Sequence, residues 1–287
     1  MSKHPLTWLI TGSSSGFGLL LTRYAQAHGH KVIATSRNPS RTPELVREVE
    51  DKGGRWLQLD VDDQQSGAVV DRLEEGGEAI DVLVNNAGWS AHGPAEAFSE
   101  PEVKAQVETI FFGPYRLMRA VAPYMRKRRS GIIVNISAAG SLWGMQTMAP
   151  YSAAKAALDG VSKVMSDELA DFGVRVLIVQ LGGFNTNMPN VIRGVEKPLD
   201  EDYKGKTLDL ILQALQSGKF EIDGDPHKAA KIIYEVIVGE GIGEGKEKEL
   251  ILPLGKEAAQ RAKKTIETWT HVMEVFGDVC TSVSVDK

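Results

Sequence analysis

Tyr151 and Lys155 stand four apart in Tyr151-Ser152-Ala153-Ala154-Lys155. A helix through this stretch would place both on one face, one turn from each other. A phenol beside a desolvated ammonium loses its proton more easily, because nearby positive charge favours the phenolate. A tyrosine tuned this way can give a proton to a carbonyl oxygen, or take one from an alcohol, near neutral pH. The same spacing also arises by chance on an Ala-rich helix, so the surroundings decide what the pair does.

A second stretch with chemical meaning is Thr11-Gly12-Ser13-Ser14-Ser15-Gly16-Phe17-Gly18, directly after an apolar run at residues 6–10. Glycines at these points allow a tight turn and let backbone N–H groups approach a pyrophosphate at a helix N-terminus. A plain strand-helix connection is the alternative. The place of the turn after a first strand favours a dinucleotide. The next run, residues 31–36, is followed by Arg37, with no Asp or Glu where a ribose 2′-hydroxyl would be held. The planar fork of arginine suits a 2′-phosphate, which favours NADP(H) over NAD(H). Arg37 could instead be a solvated surface residue.

These groups need a scaffold. Residues 6–10, 31–36, 56–59, 80–84, 131–136 and 174–179 are nearly continuous in Val, Ile and Leu, as strands buried on both faces should be. Amphipathic segments at 44–51, 103–126 and 151–172 alternate with them. This alternation predicts an α/β fold, a doubly wound parallel sheet of the Rossmann type, as one domain over residues 1–287. Residues 182–224 break the rhythm with Gly, Pro, charges and a short helical run at 208–215, which predicts a small helical cover over a site. Asp225 and Pro226 are placed to cap and start a further helix. Residues 250–252 read as a last strand and 256–276 as a closing helix.

The bulk numbers narrow the function classes. A net charge of -5 argues against nucleic acid or an anionic membrane as the main partner. The basic cluster Arg126-Lys127-Arg128-Arg129 falls where a helix should end and where cations suit its dipole. The lone Cys280 excludes an internal disulfide framework and a CxxC metal site, so no metal is expected. With no room for a signal peptide and no apolar stretch long enough to span a bilayer, a soluble cytoplasmic protein is expected.

The glycine turn, the sequence Asn85-Asn86-Ala87-Gly88 after the fourth strand, and Tyr151 with Lys155 occur together and in order. Together they resemble the short-chain dehydrogenase/reductase family in its single-domain form, over essentially the whole chain. Gly224-Asp225-Pro226-His227-Lys228 and Leu252-Pro253-Leu254-Gly255 look like its fungal and steroid-dehydrogenase-like members. The resemblance implies that Gly12, Ser14, Gly16, Phe17 and Gly18 surround the pyrophosphate and that Arg37 holds the 2′-phosphate. It puts Asp60 and Val61 at the adenine, and Asn86, Ala87 and Gly88 beside the central strands and cofactor. Gly183 and Thr186 fall near the carboxamide end. Tyr151 becomes the acid/base, and Lys155 binds the nicotinamide ribose while lowering the Tyr151 pKa. A serine after the fifth strand polarises the substrate oxygen. The resemblance also implies a homodimer or homotetramer built on the helices at 103–126 and 151–172.

The chain departs from that pattern in three places. Ser137 lies fourteen positions before Tyr151, one more than usual, so Ala138 takes the strict frame and Ser137 is the expected catalytic hydroxyl. Ile110 stands where the family commonly carries an Asn that helps hold a water, and no Asn occurs from Pro101 to Ser130. Proton resupply to Tyr151 would then need Thr109, another water route or the substrate itself. Leu181-Gly182-Gly183 replaces the usual Pro-Gly after the sixth strand.

Trp89, Trp143, Met145, Met148, Phe184 and Met188 all fall in loops expected at the C-terminal edge of the sheet. Large apolar and thioether side chains there suggest an apolar or aromatic small-molecule substrate, and packing between loops is the alternative. His92 could be a proton donor or a loop-packing residue. The expected function is an NADP(H)-dependent oxidoreductase interconverting a ketone and a secondary alcohol. The alternatives are non-redox chemistry on the same scaffold, such as isomerisation or cyclisation, and a non-catalytic cofactor-binding protein.

Overall fold

Runs of Val, Ile and Leu become strands because β-branched and aliphatic side chains pack well on a pleated surface covered on both sides. In chain order the strands are β1 (Thr7–Ile10), β2 (Lys31–Ser36), β3 (Arg55–Gln58), β4 (Val82–Asn85), β5 (Ser90–His92), β6 (Gly131–Ala138), β7 (Val174–Leu181), β8 (Ile192–Gly194) and β9 (Ile251–Leu254). The computed structural model describes residues 4–186, 192–217 and 222–285. Seven of these strands form one parallel sheet in the order β3-β2-β1-β4-β6-β7-β9. Pro253, which cannot donate to a ladder, sits in β9 at the sheet edge, where that loss is tolerated.

The chain leaves β1 toward β2 and β3 on one side, then returns to β4 on the other. This reversal opens a crevice at the C-terminal ends of β1 and β4, where ligands of such sheets bind. Register fixes it, with Ile10 level with Ala34 on one side and Val84 on the other.

The helices are α1 (Gly16–Ala27), α2 (Pro43–Asp51), α3 (Ala68–Glu75), α4 (Glu100–Val107), α5 (Gly113–Arg128), α6 (Ala149–Ala170), α7 (Thr207–Gln216), α8 (Pro226–Val238) and α9 (Lys256–Thr281). Alternation along β1 sends Trp8 and Ile10 into a core with α1 and α8, and Leu9 into a second core with α3, α5 and α6. The sheet is therefore covered on both faces, as the doubly wound reading requires.

The structure corrects several boundaries. The helix expected at 103–126 starts earlier, at Glu100, behind a capping box in which Ser99 N donates to Glu102 Oε2 at 2.7 Å. A π-helical turn, Glu108–Phe112, then separates α4 from α5, and such turns are frequent at functional sites. β6 and β7 run two residues further than expected, to Ala138 and Leu181. The three-residue strands β5 and β8 pair with each other outside the main sheet, where no strand was expected between residues 182 and 224. Asp225 caps α8 as expected, its carboxylate accepting from His227 N at 2.9 Å and Lys228 N at 3.2 Å. Arg128, in the last turn of α5, pairs with Glu74 at 2.6 Å, which gives the basic cluster a structural task. Among the described residues no helix is long and apolar enough to cross a membrane, and no group of three or more His, Cys, Asp or Glu is placed to hold a metal ion.

Candidate active site

The glycine turn is built by backbone geometry that side chains would spoil. Gly12 and Gly16 have φ of +68° and +54°, the left-handed region that favours glycine. A Cβ on Gly12 would lie 2.8 Å from Ala87 Cα. At Gly18, in the first turn of α1, a Cβ would strike the Gly12 carbonyl oxygen and lie 2.5 Å from Asn86 Nδ2. Thr11 and Asn86 tie the turn to the loop after β4. The Thr11 hydroxyl accepts from Asn86 N at 2.9 Å and Ala87 N at 3.0 Å. Asn86 Nδ2 donates to Thr11 O at 2.9 Å and Gly12 O at 3.2 Å. The Ser15 side chain makes no cap on α1, which leaves the positive end of that helix facing the crevice. This backbone cradle fits a pyrophosphate.

A cleft of about 590 Å³ runs along the C-terminal edge of the sheet. It begins at Arg37, Asp60 and Val61, passes Gly12, Ser14, Gly16 and Phe17, and continues by Asn86, Ala87 and Gly88 to Ser137, Tyr151 and Lys155. Gly183 and Thr186 line it from the opposite side. Gly18 does not line it; it lies beneath the turn, where its lack of a side chain permits close packing. All the other expected catalytic and cofactor-binding residues share this one cleft.

Beyond Tyr151 the cleft is walled by Trp89, His92, Met145, Met148 and Phe184, as expected of an apolar chamber. Phe184 packs edge-on against Phe17, with ring centroids 5.3 Å apart. Trp143 does not line it: its ring turns outward under Lys264, whose Nζ is 5.2 Å from the centroid. Met188 lies outside the described residues. Sequence reasoning missed Glu257, Leu215 and Ile222, which also line the cleft. Glu257 enters because Gly182 N donates to Leu254 O at 2.9 Å, drawing the start of α9 onto the loop after β7. No local pattern announces that contact.

Tyr151 and Lys155 are buried on the first turns of α6. Lys155 Nζ donates to the Ile136 carbonyl of β6 and stands 5.7 Å from the Tyr151 ring centroid. Burial pushes the Tyr151 phenol well up, with the Asp159 charge acting the same way. Burial also draws Lys155 down to about 8, against the opposing pull of Asp159. The expected lowering of the Tyr151 pKa by Lys155 is therefore not produced by these protein groups. Desolvation of the phenol dominates, and the Lys155 ammonium donates to a backbone carbonyl.

Lys155 gives a testable pH dependence. Its folded value of about 8 lies below the ordinary lysine value, so the unfolded chain binds the extra proton across the interval between them. Stability of the cofactor-free protein should therefore rise with pH from about 8 to about 10, by up to roughly 1.4 kcal/mol per unit. The raised Tyr151 value opposes this rise only as the pH nears 10, where the unfolded phenol begins to lose its proton. Urea midpoints across this interval check it, with Lys155→Met expected to flatten the profile.

Ser137 lies one residue before the end of β6, opposite Gln180 of β7. Its hydroxyl is buried and has no hydrogen-bond partner among the described residues, and the residue lines the cleft. An orphaned buried hydroxyl costs about 1–3 kcal/mol, which a ligand oxygen at this position would offset. Ala138 lines the cleft too, at the last position of β6. The longer β6 and the turn Ala139–Ser141 absorb the extra residue before Tyr151.

The π-helical turn carries Ile110 into a small apolar cluster with Ala138, Tyr151 and Ala154. A Cβ on Gly88 would be 2.9 Å from Ile110 Cδ1, so this side chain fills the space beside the Asn86 loop. Thr109, the alternative proton source, accepts from Trp89 Nε1 at 2.9 Å and donates to Ala105 O at 3.3 Å, away from Tyr151. His92 is buried with its ring nitrogens on Ser90 Oγ at 2.9 Å and Thr147 Oγ1 at 3.1 Å. Burial holds its pKa down, to about 4, so it is neutral near pH 7 and pins the loop bearing Thr147. The loop-packing reading of His92 is the one this geometry favours.

Known proteins place the chain. Residues 7–196 match the family profile described as short chain dehydrogenase. Oxidoreductase claN of Passalora fulva is 40% identical over 208 residues, which are 72% of this chain and 94% of that protein. The 3-ketodihydrosphingosine reductase of Bacteroides thetaiotaomicron is 41% identical over 184 residues, 63% of this chain and 65% of that one. The crystal structure of a short-chain dehydrogenase from Streptomyces avermitilis superposes with a TM-score of 0.84 at 34% identity, covering 97% of this chain and 100% of its own. With a parallel sheet switched between β1 and β4, a glycine cradle there, and Tyr151 and Lys155 on the next wall, this chain belongs to the short-chain dehydrogenase family of oxidoreductases.

Proposed function

We propose that the protein is an NADP(H)-dependent oxidoreductase that interconverts a ketone and a secondary alcohol on a mostly apolar small molecule. The observation that carries this reading is that the glycine cradle and the Ser137–Tyr151–Lys155 cluster line one continuous cleft. A bound nicotinamide supplies or accepts the reducing equivalent. Ser137, with its unpartnered hydroxyl, donates a hydrogen bond to the substrate oxygen. Tyr151, kept protonated by burial, gives that oxygen its proton in the reductive direction. Lys155 holds the end of β6 beside them and binds the ribose. Trp89, Met145, Met148 and Phe184 supply the apolar wall, and the reductase from Bacteroides thetaiotaomicron acts, by its name, on a keto compound.

Cofactor choice rests on Arg37, which is exposed and lines the cleft together with Asp60. Arg37→Ala is expected to weaken NADPH by about 10–100-fold, the worth of charge-assisted hydrogen bonds to a phosphate, and to leave NADH within a factor of about three. Fluorescence titration with both cofactors checks it, and equal losses would remove Arg37 from the 2′-phosphate. We further assign a homodimer or homotetramer on the faces of α5 and α6, in the cytoplasm.

Ile110 favours a second reading, in which the same cofactor scaffold carries non-redox chemistry that needs no proton relay through this helix. Oxidation of NADPH by a panel of aromatic and aliphatic ketones separates the two. Turnover supports the redox reading, and tight NADPH binding without oxidation across the panel supports the other.

A further inference from the structure

Lys155 and Asp159 are oppositely charged, one turn apart on α6, and only 5% and 4% exposed. They do not meet as an ion pair, since the Lys155 ammonium donates to Ile136 O. Asp159 is held by other partners. Ser141 Oγ lies 2.6 Å from Asp159 Oδ2 and 2.7 Å from Ala138 O, and Gln180 Nε2 donates to the same Oδ2 at 2.8 Å. The carboxylate is thereby fixed to the turn after β6 and to the β7 residue level with Ser137.

Ser141 and Gln180 are neutral donors served by a single oxygen, which a side-chain amide could supply equally well. Oδ1 of Asp159 is buried and has no hydrogen-bond partner among the described residues. A negative charge kept out of water is costly unless an opposite charge lies near it. Stapling the turn therefore does not account for an acid at this position, whereas Lys155 does.

No neighbouring element supplies Lys155 with another counter-charge. β6 and the turn Ala139–Ser141 carry no titratable side chain, and β7 carries only Arg175, at its opposite end, donating to Ile237 O. β5 brings His92, which is neutral near pH 7. Glu108 of the π-helical turn pairs with Arg116 of α5, and in α4 Lys104 pairs with Glu100 while Glu102 takes part in the capping box at Ser99. Burial works against the Lys155 ammonium, and the Asp159 charge alone works for it.

We propose that Asp159 is a positioning residue acting through Lys155: its carboxylate, fixed by Ser141 and Gln180, is the buried counter-charge that keeps this side chain a cation able to bind the cofactor ribose. This rests on the ribose contact given to Lys155 above.

The test is the urea midpoint of the cofactor-free protein against pH, for the wild type, Asp159→Asn and Ser141→Ala. Lys155 of the folded wild type titrates near 8, below its unfolded value, so its contribution to stability begins to rise there. Without the Asp159 charge the folded value drops further while the unfolded value stays. The rise should then begin about one pH unit lower. Ser141→Ala keeps the charge, so it should lower the midpoint at every pH without moving the onset. Asp159→Ser, smaller and equally neutral, replaces the asparagine variant should the amide not be accommodated. An unmoved onset in the neutral variant overturns the proposal and leaves Asp159 a staple of the turn. NADPH titrations read the consequence for the cofactor. Asp159→Asn should bind NADPH as the wild type does at pH 6, and about fivefold more weakly at pH 8, where its ammonium is mostly lost. Equal affinities at pH 8 beside a shifted onset overturn the positioning role too. If the wild type binds no NADPH at either pH, the cofactor reading fails instead, and the urea onset still decides whether Asp159 is the counter-charge.

Discussion

Tyr151→Phe is expected to lower turnover by about 10²–10⁴-fold, the usual worth of a positioned proton donor, while NADPH affinity stays within about threefold. The change removes one hydroxyl and keeps the ring. That ring packs with Ile110, Ala138 and Ala154, and phenylalanine preserves those contacts, so the fold should persist. The loss should therefore fall on kcat and kcat/KM together, as when an interaction is made mainly in the transition state. Burial and Asp159 both push the phenol up in the cofactor-free protein, so Tyr151 holds the proton that reduction requires but is a weaker acid than a free phenol. Steady-state rates with equal NADPH occupancy decide it. A variant that kept a tenth of its activity would exclude the phenol as the main proton source.

The second large effect is expected from Gly18→Ala, and its sign is the informative part. Alanine replacing glycine inside a helix normally stabilises by up to about 1 kcal/mol. At Gly18 the added methyl meets the Gly12 carbonyl and the Asn86 amide, neither of which is the loose end of a long side chain. Relief requires the β1–α1 turn to move away from the loop after β4. A cost of about 1–3 kcal/mol follows, together with at least a tenfold loss of NADPH affinity, because the cradle itself is displaced. Gly160 is the control. It lies in α6 with nothing within 4 Å of where a Cβ would stand, so Gly160→Ala should be neutral or stabilising. Gly18→Ala should lower both the thermal midpoint and NADPH affinity, whereas Gly160→Ala should leave affinity unchanged and should not lower the midpoint.

Much of this arrangement is legible in the sequence because its causes are local. Apolar runs mark strands by composition, glycine marks backbone that no other residue tolerates, and Asp225-Pro226 announces a helix start by capping chemistry. What escaped depends on distant partners. The π-helical turn inserts its extra residue among ordinary helix formers, so 103–126 reads as one unbroken helix. β5 and β8 are three-residue strands joined across a hundred residues of chain, too short to carry an alternating pattern. Glu257 reaches the cleft only because α9 starts against the loop after β7, and Trp143 leaves it because Lys264 and Arg261 hold its segment outside. The direction of the Tyr151 shift is illegible in the sequence for the same reason. Spacing announces a neighbouring ammonium, but desolvation is set by everything packed around the phenol.

The role proposed for Ser137, Tyr151 and Lys155 is proton transfer at the oxygen of a carbon being reduced or oxidised beside a nicotinamide. The most direct measurement is mass spectrometry of the alcohol formed from an apolar ketone when both nicotinamide C4 hydrogens of NADPH are deuterium. Wild-type protein should place one deuterium on the carbinol carbon, and Tyr151→Phe should form the labelled product about 10²–10⁴-fold more slowly. A product formed without label and without loss of NADPH would contradict it.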